Sequence, residues 1–163
     1  MRMMMTAICD GKYLHNKQSH AFSLEEALHE CTCVSTHSKI VLKEHKAKCE
    51  IKNSDSLQVR ITCLDPCVTM LSQKKKCDFI AAWEDKDNNT IVYYIELKAS
   101  NHEKACKQLL ETINYCKSIH GSCSRRCHIA AYPPVANATI QKYQKKFSKQ
   151  NIELSANVAL QAS

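Results

Sequence analysis

The β-branched and aromatic run Ile91 to Ile95 ends in an acid and a base two positions apart, Glu96 and Lys98. Strand side chains alternate, so these two share one face while Ile95 and Leu97 turn to the other. Upstream, CDFIAAW (77–83) reads as a second strand, and EDKDNN (84–89), rich in turn-forming Asp and Asn, as the loop of a hairpin. With that loop centred near Asp87, opposed residues carry numbers summing to about 174, which sets Asp78 across from Glu96 on the same face. Two carboxylates and one lysine then meet at the open end of the hairpin. Such a group suits a hydrated hard cation, Mg²⁺ or Mn²⁺, which takes one or two carboxylates and keeps waters or phosphate oxygens. Asp78 and Glu96 are the expected carboxylate ligands, with the backbone carbonyl of Leu97 as a third donor. Lys98 is the cation that would orient the attacking water and offset charge on a phosphate. An isolated Glu-x-Lys pair is more often a strand-end ion pair in solvent. The apolar strand before it, the Asp at the matching position and the helix after it set this one apart.

The rest of the chain has to position that hairpin end. Ser23 with Glu26 three residues on is a capping box, and it opens a helix over about 24–31. KIVLKE (39–44) and LQVRITC (57–63) read as strands, with CVTML (67–71) as a continuation after the Asp65-Pro66 turn. Asn101 caps a helix over 102–118 whose Ala105, Leu109, Thr112, Ile113 and Cys116 follow helical spacing. CHIAAY (127–132) is a short strand, 138–150 a basic helix and NIEL (151–154) a last strand. Residues 1–20 are polar and poorly patterned. The expected fold is a single α/β domain spanning 1–163, with a central mixed sheet flanked by helices.

CDF (77–79), about seventeen residues between Asp78 and Glu96, IELK (95–98) and a following helix carrying Gln108 together resemble the PD-(D/E)XK nuclease superfamily over roughly residues 74–118. The resemblance implies a restriction-endonuclease-like αβββαβ core and Mg²⁺-dependent hydrolysis of phosphodiester bonds in DNA, by endonuclease or exonuclease action, in a restriction, phage-defence or repair setting. It makes Asp78, Glu96 and Lys98 the catalytic set and adds Gln108, which matches the start of the Gln-x-x-x-Tyr motif some members carry on that helix. Cys77 replaces the family's proline, and Thr112 stands where the motif has tyrosine, with Tyr115 three residues further on. Many members add an acid from the first helix. Glu25, Glu26 and Glu30 are the candidates, with Asp65 as a rival from the upstream turn.

A net charge of +7 agrees with a polyanionic partner, DNA with RNA as the alternative. Lys74-Lys75-Lys76 directly precedes Asp78 and is placed for phosphate contact. Arg125-Arg126 and the lysines at 142, 145, 146 and 149 are further basic runs. The small size points to a homodimer or a partner protein for target selection. A catalytically silent nucleic-acid- or protein-binding module on the same fold is the alternative function. The 11 cysteines are odd in number and scattered through the expected strands and helices, so they read mainly as small buried hydrophobes in a reducing, cytoplasmic compartment. Cys63-x-x-x-Cys67 and Cys123-x-x-x-Cys127 beside His128, and more weakly Cys31-x-Cys33, give a zinc alternative, though structural zinc favours two intervening residues. No signal peptide and no run of 18 apolar residues occurs, so no membrane span is expected.

Overall fold

The hairpin that carries the candidate chemistry is fixed by its loop. In the computed structural model, which describes residues 6–9, 12, 13, 18–98 and 100–163, Asp85 Oδ1 accepts the backbone N–H groups of Asp87 and Asn89, both at 2.9 Å. Asn88 takes the left-handed conformation (φ 62°) that asparagine tolerates. The turn sets strands β7 (Phe79–Glu84) and β8 (Thr90–Lys98) in antiparallel register from Glu84↔Thr90 to Phe79↔Ile95, keeping the expected sum throughout. Asp78, just before β7, donates its N–H to the Ile95 carbonyl at 3.1 Å, which carries the pairing to the end where Glu96 lies.

β8 lies inside a six-stranded mixed sheet. β3 (Thr32–Ser35), β6 (Val59–Cys63), β7 and β8 run antiparallel in that spatial order. β9 (Ser124–Ala131) and β10 (Glu153–Ala156) then add parallel strands beyond β8. Parallel neighbours need a crossover, and two helices supply them. Helix α2 (His102–Tyr115) starts at Asn101, whose side chain accepts the Lys104 N–H at 3.1 Å, and it buries Ala105, Cys106, Leu109, Thr112 and Ile113. A further turn, α3 (Lys117–His120), continues it. Helix α4 (Asn137–Ser148) links β9 to β10 and buries Tyr143 and Phe147. Helix α1 (Leu24–Glu30) is capped by Ser23, which accepts the Glu26 N–H.

A second sheet was not expected. β1 (Thr6–Cys9), β2 (Lys12–Tyr13), β4 (Lys39–Glu44), β5 (Ala47–Lys52) and β11 (Leu160–Gln161) form a five-stranded sheet in the order β11-β5-β4-β1-β2, with β5 lying against β8 and β9. β5 hides in the sequence because lysines and glutamate occupy its outer positions; only Ala47, Cys49 and Ile51, alternating and buried, mark the inner face. The segment expected to extend β6 instead folds into a 3-10 turn at Thr69–Leu71, and β9 begins three residues before its expected start. Most of the irregular stretch expected over 1–20 lies outside the described residues. Among the described residues no helix is long and apolar enough to cross a membrane.

The cysteines divide. Cys49, Cys63, Cys77, Cys106, Cys116 and Cys127 are buried free thiols, as expected of small hydrophobes. Cys31, at the end of α1, is joined to Cys67 in a disulfide, and Cys33 is also disulfide-bonded. These bonds depart from the expectation of a reducing compartment in which most cysteines serve as small buried hydrophobes. The Cys31–Cys67 bond arises because the end of α1 folds against the end of β6 and the loop after it, where Cys63 N–H also donates to the Cys31 carbonyl at 3.0 Å.

His128 on β9 is almost fully buried, and its Nδ1 pairs with Ser155 Oγ at 2.8 Å. Burial pushes its pKa down to about 4. The fold therefore prefers the neutral ring. Its contribution is complete above the unfolded value near 6.5 and is lost as pH falls from there towards 4. Urea unfolding should lose about 2 kcal/mol between pH 7 and pH 5 through this residue. His128→Gln should flatten that part of the profile, and an unchanged pH slope in the variant would contradict the assignment.

Candidate active site

Asp78 and Glu96 are driven together by the hairpin and buried by what covers its end; they are 7% and 2% exposed. Asp78 Oδ2 accepts the Leu97 N–H at 2.8 Å. A strand residue sends both its backbone polar groups to the same side, so the Leu97 carbonyl faces the edge where Asp78 sits. Glu96 is less well served. Its Oε1 lies 3.8 Å from Lys98 Nζ, an ion-pair distance, and its Oε2 is buried without a hydrogen-bond partner. Burial raises the Asp78 pKa to about 7, helped by the charges of Glu44 and Asp65 and opposed by the Leu97 N–H and by Lys98. Burial and the Asp78 charge push Glu96 well above the ordinary carboxylate range, against the pull of Lys98. One lysine does not neutralise this group.

Helix α2 holds the lysine. Gln108 Oε1 accepts from Lys98 Nζ at 3.2 Å, while Gln108 Nε2 donates to the Lys76 carbonyl at 3.0 Å. The amide orientation that pairs each donor with an acceptor is thereby fixed. One turn on, Thr112 Oγ1 accepts the Cys77 N–H at 2.8 Å and donates to the Gln108 carbonyl. The two residues clamp Lys76-Cys77, the approach to Asp78. Thr112 thus has a structural task at the position where the resembling motif has tyrosine. Tyr115 instead lies under the Lys74 ammonium, 5.5 Å from the ring centroid.

Asp78, Glu96, Leu97, Lys98 and Gln108 line one cavity of about 290 Å³, so all the expected site residues are brought together. The acids expected from α1 do not line it. Glu30 is bonded to the Ser19 hydroxyl, and Glu25 lines a separate depression. The further carboxylates are Asp65, the rival candidate, and Glu44 at the end of β4, which sequence reasoning missed. Its signal was an acid closing an apolar strand, KIVLKE, the same pattern as Glu96, but without the second sheet nothing linked it to Asp78. Lys76 is turned inward, 3.8 Å from Asp65, and is not free for phosphate contact; Lys74 and Lys75 remain exposed.

No family model matches this chain, and neither a curated protein nor a solved structure matches it significantly. The donor chemistry must therefore be judged from the residues. Among the described residues no group of three or more His, Cys, Asp or Glu side chains is placed to hold a metal ion. A hydrated Mg²⁺ needs only one or two carboxylates. Asp78 and Glu96, with one buried oxygen unpartnered and both pKa values raised by burial and by neighbouring carboxylates, fit that demand. The paired-cysteine zinc reading does not fit. Cys67 and Cys31 are joined in the disulfide, Cys33 is also disulfide-bonded, and burial raises Cys63 to about 12 and Cys127 well above its usual value. The same burial leaves Cys49, Cys77, Cys106 and Cys116 as protonated thiols rather than nucleophiles.

The buried acid makes the metal-free site costly to fold. In chelator at neutral pH, Glu96→Gln should stabilise the protein by on the order of 1 kcal/mol in urea unfolding, because it removes a poorly compensated carboxyl and offers Asp78 an amide donor. Destabilisation by the same substitution would show that the carboxyl is better satisfied than its surroundings indicate.

Proposed function

We propose that the chain is a divalent-metal-dependent nuclease of the PD-(D/E)XK type that hydrolyses phosphodiester bonds in DNA. The observation that carries this reading is the buried, under-neutralised pair Asp78 and Glu96 beside a lysine that a helix glutamine holds in place. The order of elements supports it. α1, then β6, β7 and β8, then α2 and β9 follow the αβββαβ succession of a restriction-endonuclease-like core, with β3 to β5 inserted after the first helix. The net charge of +7 suits a polyanionic substrate.

In this reading Asp78 and Glu96 hold the cation, and the Leu97 carbonyl lies at the same edge as a further donor. The bound cation supplies Lewis acidity and neutralises charge growing on the scissile phosphate. Lys98 presents its ammonium to a phosphate oxygen, and Gln108 fixes where that ammonium can go. Thr112 and Gln108 keep the Asp78 approach from shifting, so the two carboxylates stay opposed. Burial of Asp78 and Glu96 limits the water around them, which strengthens each electrostatic contact.

Cleavage of plasmid and oligonucleotide DNA in Mg²⁺ or Mn²⁺ tests the proposal. The wild type should cut, chelator should stop it, and Glu96→Ala and Lys98→Ala should each slow cutting by roughly 100-fold or more. A wild type that cuts neither DNA nor RNA in either metal, or variants that cut as well as it does, would leave the fold as a silent binding module.

A further inference from the structure

A second cleft of about 310 Å³ lies beside the first, on the other flank of the turn between β4 and β5. His45 and Ala47 of that turn line the candidate active site, and Lys46 between them lines the neighbouring cleft. Its second wall is the end of β9 and the residue that follows, Tyr132. The two clefts share a backbone link, since Tyr132 N–H donates to the Lys98 carbonyl at 3.2 Å and Lys98 pairs with Ala131.

Three features define what this cleft can take. Tyr132 is 56% exposed, a large apolar ring left open to solvent. The Lys46 ammonium stands 5.7 Å from the centre of that ring, and Lys48 is exposed on the same wall. The one acid in the lining, Glu50, is paired with Lys39 at 3.4 Å, so the balance is positive. The base of the cleft is held firm, because Asn157 spends its side chain on both backbone groups of Val135, accepting the N–H at 2.9 Å and donating to the carbonyl at 2.8 Å.

A phosphate alone would need the lysines but not the ring. An apolar ligand would need the ring but not the lysines. A planar aromatic face joined to cations matches an unpaired nucleotide, whose base stacks on an aromatic side chain while its phosphate meets lysine. We infer that this cleft is a subsite for one unpaired nucleotide of the substrate strand, its base on Tyr132 and its phosphate between Lys46 and Lys48, next to the scissile phosphate at Asp78 and Glu96. The inference rests on the nuclease reading for what the neighbouring site does. It adds that the substrate is single-stranded or opened at the point of cutting.

Fluorescence anisotropy of a labelled single-stranded oligonucleotide in chelator tests the cleft without any cleavage. Tyr132→Ala should weaken binding roughly tenfold, and Tyr132→Phe, which keeps the ring, should stay within about twofold of the wild type. Lys46→Ala should reduce the slope of log affinity against log salt by about 0.7. Both residues are exposed, so circular dichroism and the urea midpoint should be unchanged. The matching duplex should bind more weakly than the single strand and be indifferent to Tyr132→Ala. Equal affinity of wild type and Tyr132→Ala for the single strand, or displacement of the strand by polyglutamate as readily as by unlabelled DNA, would overturn the inference. Cleavage of the same oligonucleotide in Mg²⁺ is scored separately. Binding that depends on Tyr132 without cutting sinks the nuclease reading alone, and cutting with binding indifferent to Tyr132 sinks the subsite alone.

Discussion

Two carboxylic acids are buried side by side at the end of one hairpin, and the surrounding structure is organised around that constraint. Removing a carboxylate from water costs several kcal/mol unless partners replace the lost hydration. Asp78 recovers part through the Leu97 N–H, a contact that exists only because β8 runs on past Phe79, the first residue of β7. Glu96 recovers less, with one distant lysine and one unpartnered oxygen. Such an arrangement is a poor way to stabilise a fold and a good way to hold a cation. A salt bridge serving stability alone would sit in solvent or be fully satisfied.

The lysine is controlled with more care than the acids. Gln108 reaches in two directions from α2, to Lys98 on β8 and to the backbone before β7, so one side chain ties the helix, β8 and the segment that carries Asp78 together. Thr112 repeats the tie one turn later, satisfying the buried N–H of Cys77. Helix periodicity makes this economical, because positions four apart lie over the same stretch of sheet. Cys77 fits the same scheme. A proline at that position would have no N–H for Thr112, so the cysteine before Asp78 and the threonine on α2 belong to one local solution.

The legible parts of the sequence were those with local causes. The β7–β8 register followed from a loop whose Asp and Asn residues dictate their own turn. The α1 and α2 starts followed from Ser23 and Asn101, which cap the helices with their own side chains. β5 was not legible, because its inner residues Ala47 and Cys49 are small and its outer ones charged. A strand of that kind is stabilised by β4 and β11 on either side and by the sheet beneath it, not by its own propensity. Missing β5 meant missing the second sheet, and with it the reason Glu44 rather than an acid of α1 faces Asp78. The disulfide was hidden for the same reason. Cys31 and Cys67 are 36 residues apart and meet only through the packing of α1 against the loop after β6.

The second sheet changes what the first can do. On its own, the six-stranded sheet would present the ends of β8 and β9 to open solvent, where buried acids could not persist. The turn between β4 and β5 closes over that edge and divides it. One flank becomes an acidic cavity around Asp78 and Glu96, and the other a basic, aromatic cleft around Tyr132. The division follows from the alternation of side chains along a single short turn. His45 and Ala47 face one way and Lys46 the other, while the backbone bond from Tyr132 to Lys98 keeps the two flanks in fixed relation. An acidic centre repels the polyanion it would act on. A cationic surface held at a set distance is what brings a phosphate backbone to such a centre, and the same turn that buries the acids supplies it.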